Sequence, residues 1–424
     1  MRKRIHLCLA KMSEEGWEQK YIQEAFDTNW VAPLGANVNG FEDDLKRFLG
    51  GEPEVLAVSS GTAAVHLALL LAGVGPGDEV IVQSFTFCAS AHPVKYLGGT
   101  PVFVDSEPDT WNMDPDLLEE AIQDRIAITG KRPKAIVPVT LYGMPYKVDR
   151  ILDIARRYEI PVVEDTAESL GSRWKGRAMG TFGRYGVLSF NGNKIITTSG
   201  GGALICPSAE AKAKALWYAT QARESLPYYQ HVDMGYNYRM SNICAGIGRG
   251  QMHVLESNIA HHKHLQRLYE ELLAGVPGIE IHRQPEGMTD AGAEGSQPGA
   301  DGAGQPVGDY DSNYWLSTIT LDPALKIKGQ ERAYAGAAAA DGGAAGCRPN
   351  ANVEALRAML DAAGIEARPV WKPMHLQPFY ADAPAYLNGV SEAIFRVGMC
   401  LPTGPYVTDD DARYIVDTIK SAIL

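Results

Sequence analysis

Short apolar runs alternate with helical patterns over the first half of the chain. The runs read as buried strands, and the helical segments repeat their apolar positions every three or four residues. This alternation, with short joints, predicts a mostly parallel sheet covered by helices on both faces, with ligands bound at the carboxyl ends of its strands. The predicted strands are 55–58, 79–82, 101–104, 135–139 and 160–163, and the predicted helices are 63–72, 90–96, 117–122 and 148–158.

The pattern changes in the second half of the chain. Two strands flank a glycine-rich turn at 199–202, and longer helical segments follow. We therefore predict a large α/β domain over 1–254 and a small α+β domain over 255–424. The patterns behind this division are strands at 188–190, 203–205 and 313–321 and helices at 241–273 and 353–363.

Two stretches of low complexity interrupt the second half, at 284–311 and 334–346. They are rich in Gly and Ala and hold almost no large apolar side chain. Such segments cannot bury enough surface to order themselves. We expect both to be mobile loops of the small domain.

Composition and charge favour a soluble globular protein and disfavour nucleic-acid-binding and membrane proteins. Of the 424 residues, 45% are hydrophobic and 21% are charged, which is typical of a soluble globular protein. The net charge of −12 disfavours nucleic acid as a partner, because such a field repels phosphate backbones. No stretch reaches the length needed to cross a membrane, so we expect a cytoplasmic protein without a membrane partner.

Neither the cysteines nor the histidines predict a metal site. The six cysteines are scattered and favour free thiols in a reducing compartment. The four histidines between 253 and 264 lack a matching set of Cys or carboxylate ligands. We expect a solvated helix face there, formed by His253, His261, His262 and His264.

Lys194 and Asp165 are the first candidates for chemistry. Lys194 follows an apolar strand and precedes the glycine-rich turn, where a desolvated amine would suit a Schiff base; a surface lysine is the alternative. Asp165 ends an apolar strand, where it could pair with the pyridine nitrogen of pyridoxal 5′-phosphate (PLP) and keep that ring an electron sink. A helix-capping aspartate is the alternative for Asp165. The 29 residues between them (194 − 165) leave room for both to meet at one sheet edge.

Further candidates for the same ligand lie at other strand ends. Small residues at 59–64, between a strand and a helix, offer free backbone N–H groups to a phosphate. An aromatic side chain after the second strand could stack on a planar ring. A dinucleotide fold is disfavoured because no strand–G-x-G-x-x-G–helix unit occurs. The predicted cofactor contacts are Ser60, Gly61, Thr62, Phe87, Glu168 and Ser189.

Six motifs together resemble one family. In chain order they are 60–64 (SGTAA), 84–87 (SFTF), 164–168 (EDTAE), 189–194 (SFNGNK), 235–242 (GYNYRMSN) and 401–404 (LPTG). Their order and spacing resemble the DegT/DnrJ/EryC1/StrS family of sugar aminotransferases. The resemblance runs from about residue 5 to the C-terminus. It implies the aspartate aminotransferase-like PLP fold type I, an α/β large domain with a small α+β domain.

Within that family the chain looks most similar to the bacterial C4 aminotransferases of the UDP-N,N′-diacetylbacillosamine pathway. The segments that carry this likeness are 31–35, 192–202, 220–224, 368–372 with His375, and 385–389. The implied reaction moves an amino group from L-glutamate to C4 of UDP-2-acetamido-2,6-dideoxy-4-hexulose, with pyridoxamine 5′-phosphate as the intermediate cofactor form. The product would be a UDP-4-amino-4,6-dideoxy-N-acetylglucosamine, a precursor for glycan or glycoprotein synthesis.

The resemblance also implies roles for single residues. Lys194 would be the Schiff-base and catalytic lysine, Asp165 would pair with the pyridine nitrogen, and Glu168 would lie by the ring hydroxyl. Asn237 would reach the phosphate bound in a partner subunit, so the active unit would be a homodimer. The residues expected to contact substrate are Arg223, Trp371, Lys372 and His375.

Three other functions stay open on the sequence. One is amino transfer to a different nucleotide keto-sugar, at C3 or on a GDP- or dTDP-linked sugar. Another is a PLP-dependent sugar dehydratase, whose family members carry His where this chain has Lys194. The third is a non-enzymatic regulator, which a complete set of cofactor residues disfavours.

Overall fold

The computed structural model describes residues 3–286, 308–334 and 347–424. The helices are α1 (Trp17–Asp27), α2 (Ala36–Phe48), α3 (Gly61–Leu71), α4 (His92–Tyr96), α5 (Pro115–Thr129), α6 (Val148–Arg157), α7 (Ala209–Ala219), α8 (Asn242–Met252), α9 (Leu255–Leu273), α10 (Ala351–Ala362), α11 (Val390–Val397) and α12 (Asp409–Ala422). The strands are β1 (Glu54–Val58), β2 (Glu79–Gln83), β3 (Thr100–Val104), β4 (Ala135–Val137), β5 (Val163–Asp165), β6 (Arg173–Trp174), β7 (Arg177–Ala178), β8 (Tyr185–Ser189), β9 (Gly202–Cys206), β10 (Ile279–Ile281), β11 (Tyr310–Asp311), β12 (Ser317–Leu321), β13 (Arg368–Pro369), β14 (Ala385–Tyr386) and β15 (Gly398–Leu401).

The central sheet is mostly parallel, as predicted. Its strands run in the order β1–β9–β8–β5 and β14–β3–β2–β4, and parallel bridges between β4 and β5 join the two halves. Strand β9 alone among these is antiparallel to both of its neighbours, β1 and β8. Its first residue therefore lies at the edge where the other strands end, which brings the segment between β8 and β9 to that edge.

Helices cover this sheet because their apolar side chains face it. Helix α3 is apolar almost all round, and most of its residues are buried. Helix α6 instead buries one stripe, at Val148, Ile151, Ile154 and Ala155. The carboxyl edge of the sheet stays accessible between the covering helices.

A second sheet forms in the C-terminal half. It has the order β10–β12–β15–β13, with antiparallel pairing throughout, and its apolar core includes residues of α9, α10 and α12. Two short strands of this half pair instead with the N-terminal half: β11 with β6, and β14 with β3. The chain therefore crosses between the two sheets repeatedly, and the predicted division at 254/255 stays a prediction.

Two sequence expectations need correction. The single helical segment predicted at 241–273 is two helices, α8 and α9, separated at residues 253 and 254. The solvated face expected for the four histidines is wrong for His262, which is fully buried and donates to the carbonyl oxygen of Tyr314 at 3.2 Å. Burial lowers the pKa of His262 to about 3, so it is a neutral core residue.

The two low-complexity stretches lie largely outside the described residues. At the end of the first stretch, Tyr310 and Asp311 form strand β11 rather than a loop. Among the helices that the structure describes, none combines the length and the apolar character needed to span a membrane.

Candidate active site

A cavity of about 620 Å³ opens at the carboxyl edge of the central sheet. It lies where β1, β2, β5 and β8 end and where β9 begins, so separate parts of the sequence converge on it. Nine of the sequence-predicted site residues line it: Ser60, Gly61, Thr62, Phe87, Asp165, Glu168, Ser189, Lys194 and Trp371.

Lys194 lies in the segment that connects β8 to β9. A turn places it there, in which its backbone N–H donates to the carbonyl oxygen of Asn191 at 3.0 Å. Its ammonium nitrogen lies 3.2 Å from Oε1 of Glu168 and 4.0 Å from the centre of the Trp315 ring. The side chain is 13% exposed, so the amine is largely screened from solvent yet faces the cavity.

Glu168 is the ionic partner of Lys194. The other carboxylate oxygen, Oε2, accepts a hydrogen bond from the backbone N–H of Tyr142 at 2.7 Å. Burial raises the pKa of Glu168 to about 7, although Lys194 and this hydrogen bond act in the opposite direction. Near neutral pH, a proton therefore moves on or off this carboxyl beside the lysine at little cost.

Asp165 ends β5 on the floor of the cavity. Ser90 Oγ donates to Asp165 Oδ2 at 2.6 Å, and the backbone N–H of Ala167 donates to Oδ1 at 3.2 Å. Burial raises the pKa of Asp165, whereas these two hydrogen bonds and Lys194 lower it. A buried carboxylate of this kind is stabilised most by a cationic N–H group brought against it.

The N-terminus of α3 forms a small cradle beside these residues. Ser60 caps the helix by accepting a hydrogen bond from the N–H of Ala63, and the first N–H groups of a helix have no partner within it. The residues around the cradle are closely packed, since a Cβ on Gly61 would lie only 3.0 Å from Cβ of Ser189. A Cβ on Gly202 would lie 2.4 Å from the carbonyl carbon of Ser60. The cradle fits a phosphate group, because N–H donors and the helix dipole converge where side chains would block access.

Two aromatic side chains line the open side of the cavity. The ring of Phe87 lies 5.6 Å from that of Trp371, tilted by 49°. Phe87 is 55% exposed, so one face of its ring is free to stack on a planar group.

Comparisons with known proteins agree with this geometry. The model of the DegT/DnrJ/EryC1/StrS aminotransferase family matches residues 12–294 and 344–420. The chain belongs to this family. It is 42% identical to EpsN of Bacillus subtilis (strain 168), provisionally named a pyridoxal phosphate-dependent aminotransferase, over 99% of this chain and 96% of that protein. It is 33% identical to the GDP-perosamine synthase of Caulobacter vibrioides, over 97% of this chain and 96% of that one.

Solved structures agree as well. A DegT DnrJ EryC1 StrS aminotransferase from Brucella abortus superposes with a TM-score of 0.78 at 28% identity, covering 96% of this chain and 95% of its own. The predictions of PLP fold type I, of a PLP-dependent aminotransferase and of PLP as its cofactor are confirmed. The roles predicted for single residues stay predictions.

The residues of this DegT/DnrJ/EryC1/StrS aminotransferase fit the cofactor. The cradle at α3 suits its phosphate, since Gly61 lines the cavity and a Cβ there would lie only 3.0 Å from Cβ of Ser189. Asp165 offers a buried anion for the ring nitrogen. Lys194 has a screened amine that faces the same cavity.

Four of the predicted site residues do not line this cavity. Lys372 lines an adjoining groove, which shares Thr86, Phe87 and Trp371 with the cavity. His375 is turned toward Ser84, whose Oγ lies 2.6 Å from His375 Nδ1.

Arg223 and Asn237 lie on an exposed segment after α7. Asn237 pairs with Thr220 through an isolated bridge, and Arg223 stacks on the ring of Tyr229 at 5.1 Å. Neither residue reaches the cavity of its own chain.

Sequence reasoning missed three residues that hold the site together. Ser90 donates to Asp165, Tyr142 donates to Glu168 through its backbone, and Trp315 contacts Lys194. Tyr142 adopts a positive φ of 53°, which a tyrosine rarely takes and which no sequence pattern marks. The sequence does carry a sign of the role of Trp315, because polar residues surround it at the start of the strand predicted at 313–321. In the structure β12 begins only at Ser317, so Trp315 lies in the segment before the strand.

Proposed function

We propose that this chain transfers the amino group of L-glutamate to C4 of UDP-2-acetamido-2,6-dideoxy-4-hexulose, giving a UDP-4-amino-4,6-dideoxy-N-acetylglucosamine. The observation that carries amino transfer is the placement of Lys194, Asp165 and the α3 cradle around one cavity. The choice of sugar rests on the sequence likeness to C4 aminotransferases at segments such as 192–202 and 368–372.

The reaction sets a clear task for each residue. Bound PLP supplies an aldehyde for a covalent link and a ring that takes up electrons. Lys194 would hold the cofactor and, once displaced by the amino donor, would take a proton from the donor carbon and return it to the cofactor carbon on the other side of the linking nitrogen. Asp165 would keep a positive charge on the ring nitrogen, and Glu168 would hold the ammonium group of Lys194 through their ion pair between these steps.

A second candidate is amino transfer to a GDP-linked keto-sugar. It is favoured by the 33% identity with a GDP-perosamine synthase over nearly the whole chain. The cofactor residues serve either sugar nucleotide equally, because substrate choice depends on the lining of the pocket rather than on the fold.

We also propose a cytoplasmic homodimer. Its support is the exposed segment after α7, on which Tyr228, Tyr229, Val232 and Met234 are each more than 60% exposed. Apolar side chains exposed together in this way mark a surface that another chain covers. The same segment carries Asn237, the residue predicted to reach a partner's phosphate.

The test is a product assay with purified enzyme and L-glutamate labelled with heavy nitrogen. Four keto-sugars are compared: the UDP-linked 4-keto substrate, its 3-keto counterpart, and GDP- and dTDP-linked 4-keto sugars. We expect the label in a UDP-linked 4-amino sugar, with 2-oxoglutarate formed in equal amount. Faster labelling of a GDP-linked sugar would establish the second candidate, and product without 2-oxoglutarate would contradict transamination.

A further inference from the structure

Trp315 is a second contact of the reacting lysine, beside its carboxylate partner Glu168. The Lys194 nitrogen lies 3.2 Å from Oε1 of Glu168 and sits over the face of the Trp315 ring, 4.0 Å from its centre. We propose that Trp315 is a positioning residue, which holds the ammonium form of Lys194 in place while the lysine is detached from the cofactor. This inference rests on the proposed amino transfer.

The ring of Trp315 is fixed in three ways. Its indole N–H donates to the carbonyl oxygen of Asn193 at 2.6 Å, so the ring is tied to the residue before Lys194. Its backbone N–H donates to Oδ1 of Asn313 at 2.9 Å, and its carbonyl oxygen accepts from Oγ1 of Thr403 at 2.8 Å. With only 2% of its surface exposed, the ring cannot turn away from the ammonium group.

The Trp315 ring can stabilise the ammonium group without adding negative charge or accepting its proton, which a second carboxylate could not do. An aromatic face attracts a cation by about 0.5–2 kcal/mol, more strongly where water is excluded. It adds no charge to a cavity that already holds the buried carboxyl groups of Asp165 and Glu168. It also accepts no proton, so the proton on Lys194 stays available for the substrate.

The consequence for the reaction concerns one proton. Lys194 would take it from the donor carbon as a neutral amine, carry it as an ammonium group, and release it to the cofactor carbon on the other side of the linking nitrogen. Trp315 stabilises the middle state of this relay. Removing the ring should slow amino transfer about twofold to thirtyfold, which is the cation–π range expressed as a rate.

The same change should speed a different reaction. Attachment of added PLP to the full chain stripped of cofactor requires the neutral amine of Lys194. A Trp315→Leu variant stabilises the ammonium form less, so attachment, followed by visible absorbance, should become faster. A merely structural role predicts the opposite, since a damaged cavity would slow attachment and turnover together.

The experiment therefore measures attachment rate, kcat and KM for three variants. Trp315→Leu should attach PLP faster and show a lower kcat with little change in KM. Trp315→Phe keeps an aromatic face, so its attachment rate and its kcat should both return most of the way to the wild-type values. Trp174→Leu is the matched control, because Trp174 is similarly buried and lies outside the cavity; it should leave the attachment rate and kcat unchanged.

The proposal is overturned if Trp315→Leu slows both attachment and turnover, or if Trp315→Phe behaves like Trp315→Leu. Attachment needs no sugar, so a wrong sugar assignment would leave this result intact.

Discussion

The cofactor side and the substrate side of this molecule are built differently. Lys194, Asp165 and the α3 cradle lie at strand ends of one sheet, buried and tied by hydrogen bonds within a single chain. Arg223 and Asn237 lie on an exposed segment that does not reach the cavity of its own chain. The contrast indicates that one chain assembles the cavity and its phosphate cradle, whereas a role of Arg223 and Asn237 across a boundary between chains stays a prediction.

The largest expected effect tests the cofactor side. Asp165→Asn keeps the shape of the side chain but removes the charge that stabilises a protonated ring nitrogen. We expect kcat to fall by about a hundredfold or more at saturating PLP. Asp149→Asn, at an exposed ion pair outside the cavity, is the control. A loss of less than threefold would show that Asp165 does not face the ring nitrogen.

The next effect tests how closely the phosphate cradle is packed. Gly202→Ala would place a Cβ 2.4 Å from the carbonyl carbon of Ser60, whereas a Cβ at Gly200 meets nothing within 4 Å. Overpacking of this kind costs about 1–3 kcal/mol, so the Kd for PLP should rise by about fivefold to a hundredfold in Gly202→Ala. Gly200→Ala should bind PLP like the wild type. Equal affinity of the two variants would place the phosphate elsewhere.

A smaller effect tests whether Asn237 contacts the cofactor bound in a partner subunit. Asn237→Ala should weaken PLP binding about tenfold, the lower end of what one hydrogen bond to a charged group contributes. Mixed with Lys194→Ala, it forms hybrid dimers in which one site has both residues intact. At limiting PLP, the mixture should exceed the summed activities of the separate variants. No gain on mixing would mean that Asn237 serves its own chain or no cofactor at all.

The last effect, on stability rather than on catalysis or binding, concerns the buried carboxyl beside the lysine. Burial raises the pKa of Glu168 from an ordinary 4.5 to about 7, so the native state binds this proton more tightly than the unfolded chain does. Its contribution to stability is therefore complete below pH 4.5 and is lost as the pH rises through about 7.

Glu168→Gln has no charge to desolvate. The stripped variant should be more stable than the wild type near pH 8 by on the order of 3 kcal/mol, and the gain should shrink to less than about 1 kcal/mol near pH 5. Thermal unfolding at both values measures it, with the exposed Glu271→Gln as control. A gain of equal size at both values would contradict a titrating Glu168.

The sequence predicted that several of these residues gather at one edge of the sheet, because strand ends can be located from apolar runs. Asp165 follows the run predicted at 160–163 and ends β5, and a parallel sheet brings such ends to one edge. Ser189 lies inside the run predicted at 188–190, and the structure shows that it ends β8. The antiparallel direction of β9 was not predictable from its apolar pattern, although it is what returns the chain from Lys194 into the sheet.

The supporting residues were harder to predict. Ser90 ends a short 3₁₀ helix, Cys88–Ser90, and is the first residue of the segment predicted as helical at 90–96; nothing local indicates that it faces Asp165. Trp315 comes from a part of the chain 121 residues beyond Lys194 (315 − 194), so only tertiary packing brings the two together. Side chains on loops, such as His375, depend on the same long-range packing.

The central claim is that Lys194, at the carboxyl edge of this sheet, carries the cofactor. Its most direct test is reduction of the purified holoenzyme with borohydride, followed by digestion and peptide mass spectrometry. We predict a single phosphopyridoxyl group, on Lys194, and none in protein first incubated with L-glutamate, which releases the lysine. A label on another lysine, or on Lys194 regardless of glutamate, would contradict the account.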